Sequence, residues 1–522
     1  MRKLFINLFL TCCLVYSASA QEVKKYAETI KASDLKKHLE IIASDEYEGR
    51  ETGEKGQKMA AEYIVNQFKG DSLIGPVKAN TDNPYLQPFE LEKSSWDDVT
   101  IETEGKKLSL FNEFFVYGNT VLENGEYEVI FGGYGIDTEK YSDYKDLDVE
   151  GKIVAVMEGE PKTKDIFLIS GSEEKSPQND TRAKIATASE KGAKGIIIVY
   201  ESDENYQKRA QVFKQYASRP SLGFPKGKQD EGTALFFTSP TYAGDLLGTS
   251  PKKLQSAIKK INKKGKTLAG EYSNTIAITM ERKIESVTTE NVLGFLEGTD
   301  LKDEVVIVTA HYDHIGITGG EINNGADDDG SGTVSVLEIA EAFTSAKKEG
   351  HGPRRSMLFM TVTGEEKGLL GSRYYSENPI FPIENTVTDL NIDMVGRVDE
   401  KHKDNPFYIY IIGSDMLSSE LHELSEDVAK KQYPNIELDY QYNAKDDPNR
   451  FYYRSDHYNF AKHGIPVIFY FNGTHEDYHR PTDTVEKIHF DKMEQVARLI
   501  FSTAWEVANS DNRPLVDKKA GK

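Results

Sequence analysis

Five short, mostly apolar segments recur between residues 305 and 471. They are VVIVTA (305–310), SMLFMTVT (356–363), DLNIDMV (389–395), FYIYIIG (407–413) and IPVIFYF (465–471). Runs of this kind are typical of strands that are buried on both faces of a mainly parallel sheet. Val336, Ala340 and Phe343 share one helical stripe after the first run, so strands and helices alternate. This alternation predicts an α/β fold, with a mixed, mainly parallel sheet and helices on both faces.

The rest of the chain divides into segments of different character. Residues 1–20 have the layout of a secretory signal peptide: a basic pair, an apolar run and small residues at its end. Residues 21–95 contain two helical patterns and are expected to form the N-terminal part of the main domain. Residues 96–283 are rich in short β-type runs with few helical patterns, which predicts an inserted β-rich domain. The main domain then continues over 284–510, and 511–522 form a polar tail.

The composition argues against several classes of function. The 522-residue chain has a formal net charge of −21, and nucleic-acid binders need a cationic surface, so no nucleic-acid partner is expected. No segment reaches the roughly 18 apolar residues that a membrane span needs. With the signal peptide, this predicts a periplasmic or extracellular protein. Both cysteines lie within that signal peptide, so a transition metal in the exported protein would be held by histidine and carboxylate side chains.

Polar clusters lie at or just beyond the ends of predicted strands. They are HYDH (311–314), GADDDGSG (325–332), TGEEKGLLGS (363–372), LNIDMVGR (390–397) and DYHRPTDT (477–484). Taken singly, an Asp-rich turn or a Glu-Glu pair is usually solvated surface. Together, the clusters fall on the carboxyl edge of an α/β sheet, where ligands bind. Imidazole and carboxylate groups without thiols form a ligand set that suits zinc.

In this order and spacing, five motifs closely resemble metallopeptidase family 28. They are His-x-Asp, Asp-x-x-Ser-Gly, Glu-Glu-x-Gly-Leu-x-Gly-Ser, Asn-x-Asp-Met-x-Gly and Tyr-His. This is the family of co-catalytic zinc aminopeptidases and glutamate carboxypeptidase. Residues 41–68 are similar to the opening segment of the family. The insert looks like a protease-associated domain, most clearly over residues 131–156.

The resemblance implies two zinc ions per chain. His311 and Asp393 would hold one ion, Glu366 and His479 would hold the other, and Asp328 would bridge them. Two divalent ions about 3.5–4 Å apart need a carboxylate that binds both, and they lower the pKa of a water between them.

Four further residues receive roles from the same resemblance. Asp313 would accept the second imidazole N–H of His311 and thereby fix the ring. Glu365 would be the general base, which takes the proton of the water and passes it to the leaving amine. Tyr478 would stabilise the tetrahedral oxyanion through its hydroxyl. Arg454 would lie in the substrate pocket.

The resemblance therefore implies a secreted exopeptidase that acts on peptides, and an aminopeptidase is the first expectation. A carboxypeptidase stays open, because Arg397, Arg454 and Arg480 could bind a terminal carboxylate. Two further alternatives are a receptor-like protein without metals, against which the complete ligand set argues, and a single-zinc glutaminyl cyclase, against which the insert argues. A serine hydrolase is not indicated, since no Gly-x-Ser-x-Gly elbow occurs.

One motif points to a different zinc site. HEDYH (475–479) matches the His-Glu-x-x-His signature of single-zinc proteases, in which a helix brings both histidines to one face. The turn signal at 472–473 and the nearby Pro481 argue against a helix here. His314 and His475 are therefore expected to be loop histidines rather than metal ligands.

Overall fold

The computed structural model describes residues 22–118, 120–217, 220–225 and 232–518. The predicted signal peptide and the end of the predicted polar tail lie outside the described residues. The chain forms two compact units: the main unit, Met1–Leu91 with Val287–Lys522, and the inserted unit, Glu92–Ser286. Among the described residues, no helix combines the length and the apolar character that a membrane crossing requires.

The helices and strands are numbered here in chain order. Besides a helical segment at residues 22–27, the α-helices are α1 (Ala32–Ile42), α2 (Lys55–Gly70), α3 (Thr181–Glu190), α4 (Asp203–Ala217), α5 (Pro240–Leu246), α6 (Pro251–Lys264), α7 (Gly332–Lys348), α8 (Leu370–Glu377), α9 (Ser419–Gln432), α10 (His457–Ala461) and α11 (Phe490–Asn509). The strands are β1 (Leu86–Thr103), β2 (Lys106–Ser109), β3 (Phe114–Tyr117), β4 (Gly125–Phe131), β5 (Ile153–Met157), β6 (Lys162–Thr163), β7 (Ile166–Phe167), β8 (Gly195–Val199), β9 (Ser221–Gly223), β10 (Ala234–Thr238), β11 (Ser273–Leu296), β12 (Leu301–His311), β13 (Ile317–Thr318), β14 (Glu321–Ile322), β15 (Arg355–Val362), β16 (Thr386–Ile392), β17 (Tyr408–Ile412), β18 (Glu437–Asp439) and β19 (Val467–Phe471).

The sheet of the main unit has the strand order β18–β17–β19–β16–β12–β15–β11. Strands β15, β12, β16 and β19 are adjacent and parallel. Strand β11 pairs antiparallel with β15, and strand β17 pairs antiparallel with β19. The predicted mixed, mainly parallel sheet is confirmed. Because the four parallel strands end at the same edge, the loops that follow them meet there.

Alternate residues of β12 pack against helices on opposite faces of this sheet. Val306 belongs to the apolar core that contains Phe343 of α7. The adjacent Val305 belongs to a separate apolar cluster that contains Tyr375 of α8. Both faces of the strand are therefore buried, which explains why its sequence is continuously apolar rather than alternating.

The two N-terminal helices contribute to the first of these cores. The buried residues Leu35, Leu39 and Ile42 of α1 lie on one stripe, as the sequence pattern predicts. In α2, Ile64 and Phe68 are likewise buried. The N-terminal segment is thus packed into the main unit, where it reaches the residues described below.

The inserted unit contains both strands and helices. Strands β4, β5, β8 and β10 are parallel, and β3 pairs antiparallel with β10. Helices α3 to α6 also lie in this unit, so the expectation of few helices is wrong. The pattern was missed in α6 because Leu254, Ala257 and Ile261 form a narrow buried stripe in a lysine-rich sequence. The assignment as a protease-associated domain stays a prediction.

Candidate metal centre

All five predicted metal ligands lie at the carboxyl edge of the four parallel strands. His311 is the last residue of β12, and Asp393 directly follows β16. Glu366 follows β15, and His479 lies in the loop after β19. Asp328 lies in the turn that precedes α7. Residues distant in sequence are brought together because parallel neighbouring strands end side by side.

The two carboxylate oxygens of Asp328 face two different histidines. Its Oδ1 lies 3.3 Å from Nε2 of His311, and its Oδ2 lies 3.1 Å from Nε2 of His479. Oδ1 of Asp393 lies 3.6 Å from the same nitrogen of His311. Oε2 of Glu366 lies 3.1 Å from the same nitrogen of His479. Ligands about 2.0–2.1 Å from a tetrahedral zinc lie roughly 3.3 Å from one another, so the separations suit two ligand shells that share Asp328.

Several side-chain atoms of these residues are buried without forming a hydrogen bond within the described part of the chain. They include His311 Nε2, Asp328 Oδ2 and Glu366 Oε1. Ligand atoms arranged around a common centre are expected to lie this close to one another without forming hydrogen bonds. A buried polar atom without a partner costs about 1–3 kcal/mol, and a bound cation removes that cost. The donor set therefore fits metal ions.

His314 lies in the loop after β12, as predicted, but its ring also belongs to this cluster, which sequence reasoning missed. The side chain is buried, and Nδ1 lies 2.9 Å from Glu366 Oε1 and 3.7 Å from Asp328 Oδ2. Gly325 makes room for the ring, because a Cβ there would lie 2.6 Å from two ring carbons. The available signal was the position of His314 in HYDH, just past the same strand end as His311.

The three aspartates at 327–329 have different surroundings. Asp327 accepts hydrogen bonds from the Gly396 amide and from Asn472. Asp329 accepts hydrogen bonds from three backbone N–H groups around the site. Asp328, which is joined to Asp329 by a cis peptide bond, is the one of the three that faces the histidines of both ligand groups.

Asp313 contacts both His311 and Glu365, but not in the predicted way. Nδ1 of His311 lies 3.0 Å from the main-chain oxygen of Asp313 and 3.8 Å from its carboxylate. The carboxylate instead accepts hydrogen bonds from the Thr52 hydroxyl at 2.7 Å and from the Glu365 amide at 3.2 Å. The predicted carboxylate–imidazole bond is wrong, because the carbonyl of the same turn reaches Nδ1 first. The ring is still oriented, because a carbonyl can only accept a hydrogen bond. Nδ1 therefore carries the hydrogen, and Nε2 keeps its lone pair for a metal ion.

A cleft opens onto the ligands. Its lining comprises Asp328, Glu365, Asp393, Met394, Phe451, Arg454, Phe469, Phe471, Thr474 and Tyr478. Oε2 of Glu365 lies 3.9 Å from His311 Nε2. The ring of Tyr478 stacks on His479, with centroids 3.9 Å apart. Arg454 is exposed, and its guanidinium lies over the ring of Phe451 at 4.8 Å.

Burial dominates the protonation of these side chains. Burial and the neighbouring carboxylates raise the pKa of Glu365 well above its ordinary value. Burial also raises the pKa of Tyr478, so the phenol stays protonated and can donate a hydrogen bond. Burial alone would lower the pKa of His479, but its contacts with Asp328 and Glu366 raise the pKa to about 10. The buried carboxylates thus attract positive charge, which a divalent ion can also supply.

A fully buried arginine joins two of the loops that carry ligands. Arg50 donates to the main-chain oxygens of Tyr312 at 2.8 Å, Asn324 at 2.7 Å and Gly325 at 2.9 Å. It also donates to the oxygen of Ile42, at the end of α1, at 2.8 Å. Sequence reasoning missed this residue, although it lies in the N-terminal segment that resembles the family. Its guanidinium holds the loop after β12 against the turn before α7.

The rival single-zinc site is not formed. Residues 475–479 form a turn rather than a helix. His475 Nε2 faces Asp327 Oδ2 at 3.2 Å, whereas His479 faces Asp328. The two histidines therefore contact different carboxylates and do not share a centre.

Comparisons with known proteins agree with this arrangement. Residues 291–504 match the sequence profile of Peptidase family M28. Aminopeptidase YwaD of Bacillus subtilis is 25% identical over 342 residues, which are 64% of this chain and 66% of that protein. A probable zinc metalloprotease of Pyrenophora teres f. teres is 25% identical over 318 residues, which are 51% of this chain and 63% of that protein. The fold resembles that of an aminopeptidase from Aneurinibacillus sp. strain AM-1, with a TM-score of 0.54, 19% identity and coverage of 95% of this chain and 98% of that chain.

The chain thus spans just under two thirds of the length of the curated relatives it matches. The matched residues, 291–504, include the strands β12, β15, β16 and β19 and every residue of the histidine–carboxylate cluster described above. The profile match, the fold and the position of that cluster lead to one assignment: residues 291–504 form a domain of Peptidase family M28.

Proposed function

We propose that the protein is an exported exopeptidase with two zinc ions at this centre, and that it releases residues from the N-terminus of peptides. The observation that carries the proposal is the position of Asp328, whose two oxygens face histidines of two different ligand groups. The names of two relatives, an aminopeptidase and a probable zinc metalloprotease, support the activity and the metal. The predicted signal peptide supports a location in the periplasm or outside the cell.

Each ion would have its own ligands and share one. His311 and Asp393 would hold the first ion, His479 and Glu366 would hold the second, and Asp328 would bind both. His314 would complete the second group through Nδ1, given its contacts with Glu366 and Asp328. When bound, such an ion pair polarises the scissile carbonyl and activates the attacking water.

Glu365 is the residue best placed to move the proton. It lies in the cleft beside the ligands, and its backbone N–H is held by the Asp313 carboxylate. Glu365 would accept the proton of the attacking water and return it to the nitrogen of the leaving amine. The protonated hydroxyl of Tyr478 would donate a hydrogen bond to the oxyanion that develops on the carbonyl.

The charges around the cleft favour an aminopeptidase over a carboxypeptidase. Arg397 donates to Asp477 at 2.8 Å in a buried ion pair, so this guanidinium is already engaged. Arg454 is the arginine that lines the cleft. Of the carboxylates that line the same cleft, Glu365 is the one that the proposed ions leave free, and it would attract the ammonium group of a peptide N-terminus.

The role of Glu365 can be tested by comparing two isosteric variants. Glu365→Gln should retain both zinc ions and lose activity about 10²–10⁴-fold, because proton transfer is removed while the ligands stay. Glu476→Gln serves as the matched control, since Glu476 would be the base of the single-zinc motif. Full activity in Glu365→Gln, or near-complete loss in Glu476→Gln, would refute the proposed mechanism. Zinc content is measured on both variants.

The end specificity is tested with one peptide in three forms: free, N-acetylated and C-amidated. An aminopeptidase should cleave the free and the amidated forms at similar rates and leave the acetylated form intact. Equal cleavage of the free and acetylated forms would exclude an aminopeptidase. Loss of cleavage on amidation alone would support the carboxypeptidase alternative.

A further inference from the structure

A second histidine–carboxylate cluster lies in the main unit, outside the metal centre described above. His402 and Asp399 belong to the turn before β17, and Glu437 and Asp439 belong to strand β18. Ligand atoms of His402, Glu437 and Asp439 all lie within 4.8 Å of one another. Imidazole and carboxylate groups therefore converge at a point that the proposed peptidase mechanism does not use.

One ring nitrogen of His402 faces this cluster without a hydrogen bond. The residue is 5% exposed, and within the described part of the chain its buried Nε2 forms no hydrogen bond. Yet Oδ2 of Asp439 lies only 3.2 Å from this nitrogen. A short contact without hydrogen-bond alignment is the same feature that His311 and Glu366 show at the candidate metal centre.

The other ring nitrogen fixes the position of the ring hydrogen. Nδ1 of His402 lies 2.8 Å from Oδ1 of Asp399, and Oδ2 of Asp399 accepts the hydroxyl of Tyr410 at 2.6 Å. The ring also stacks on Tyr408, with centroids 3.6 Å apart. Because a carboxylate can only accept, Nδ1 carries the hydrogen, and Nε2 keeps a lone pair for a cation bound beside Asp439. Histidines that bind metals are oriented by a carboxylate in this way.

We propose that His402, Glu437 and Asp439 form a further, non-catalytic site for a divalent transition metal such as zinc. One imidazole and two carboxylates are a donor set that suits this class of ion, and water would fill the remaining positions. The ion would connect the turn before β17 to β18, a short strand at the edge of the sheet. Its role would be structural, because the site lies outside the cleft that contains Glu365.

Lys401 competes with a cation for the same carboxylate. Its ammonium contacts Oδ2 of Asp439 and donates to Gln441 at 2.8 Å. The lysine side chain is 48% exposed, so it can turn into solvent when an ion binds. Metal binding at this site should therefore become tighter when the lysine charge is removed.

The test is equilibrium dialysis of the full chain against buffered Zn²⁺, followed by measurement of zinc per chain. The wild type should take up one more ion than His402→Ala as free zinc is raised. Lys401→Met should bind that ion about fivefold more tightly, because one nearby exposed charge is removed. Glu437→Gln should bind it about 10–100-fold more weakly.

Two outcomes would overturn the proposal. One is an equal zinc content of wild type and His402→Ala at every free zinc concentration. The other is unchanged zinc binding in both Lys401→Met and Glu437→Gln, whose altered side chains are exposed and whose folding is therefore not at risk. All three variants keep the candidate peptidase centre intact. A failure of the proposed catalytic zinc pair would change the total zinc content, but not the difference between wild type and variant.

Discussion

Replacing Arg50 with methionine should weaken both the fold and the metal centre. The guanidinium is fully buried and donates four hydrogen bonds to main-chain carbonyls. Methionine fills a similar space without a donor, so these carbonyls would lose their partner. At about 1 kcal/mol for each carbonyl, the low end of the cost of an unpaired buried group, the loss is about 4 kcal/mol.

The affinity for zinc should fall as well. Arg50 joins the carbonyl of Tyr312, next to His311, to the carbonyl of Gly325, which precedes the turn that carries Asp328. Loss of groups that orient metal ligands lowers metal affinity about 10–100-fold. Arg50→Lys should recover part of both effects, since an ammonium can still donate to some of the carbonyls. Thermal unfolding of the metal-free protein and competition with a chromophoric zinc chelator measure the two effects separately.

Arg355→Met is the matched control. Arg355 is also fully buried and donates to the main-chain oxygens of Val507 and Ser510, at the end of α11, and to the carboxylate of Glu304. Its variant should lose stability and keep the wild-type affinity for zinc. A loss of about 4 kcal/mol should lower the Tm of Arg50→Met by about 6 °C for a unit of this size, so a decrease below about 2 °C would refute the reasoning. Wild-type zinc affinity in Arg50→Met would refute its role in holding the ligand loops.

Two further predictions concern His314 and Asp71. His314→Ala should weaken the binding of one catalytic ion and leave the other in place, which zinc analysis at limiting free zinc can measure; two tightly bound ions in this variant would contradict the ligand role. Burial raises the pKa of Asp71 from 3.8 to about 7, so between these values the folded protein holds a proton there that the unfolded chain releases. Stability should therefore fall as the pH rises through this window, and Asp71→Asn should raise the Tm at about pH 8 but not near pH 4. Equal Tm values of the two proteins at about pH 8 would contradict this.

The position of the metal centre could be predicted because its ligands lie close to strand ends. The apolar run 305–310 ends one residue before His311, where β12 also ends. The run 389–395 likewise contains the end of β16 and Asp393. Periodicity locates such buried strands, and parallel packing then brings their ends to one edge. The place of the cluster could thus be predicted without knowing a single distance, whereas the choice of the five ligands within it depends on the family resemblance, and that choice misses His314.

Contacts to the main chain could not be predicted in the same way. The acceptors of Arg50 are carbonyls of residues whose side chains play no part, so the sequence carries no pattern for them. The acceptor of His311 Nδ1 is also a carbonyl, because the turn brings the Asp313 oxygen closer than its carboxylate. Such choices depend on backbone angles within one turn, and residue type does not determine them.

The two predicted loop histidines, His314 and His475, show what decides whether a histidine can be a ligand. His475 faces Asp327, a carboxylate that already accepts hydrogen bonds from the backbone and from Asn472. His314 faces Glu366, whose Oε1 forms no hydrogen bond within the described residues. A carboxylate oxygen without a donor keeps its full attraction for a cation, whereas a hydrogen-bonded one has lost much of it. By the same criterion, Lys401 weakens the attraction of Asp439 for a cation at the second cluster. Removing the charge of Lys401 should therefore strengthen metal binding there.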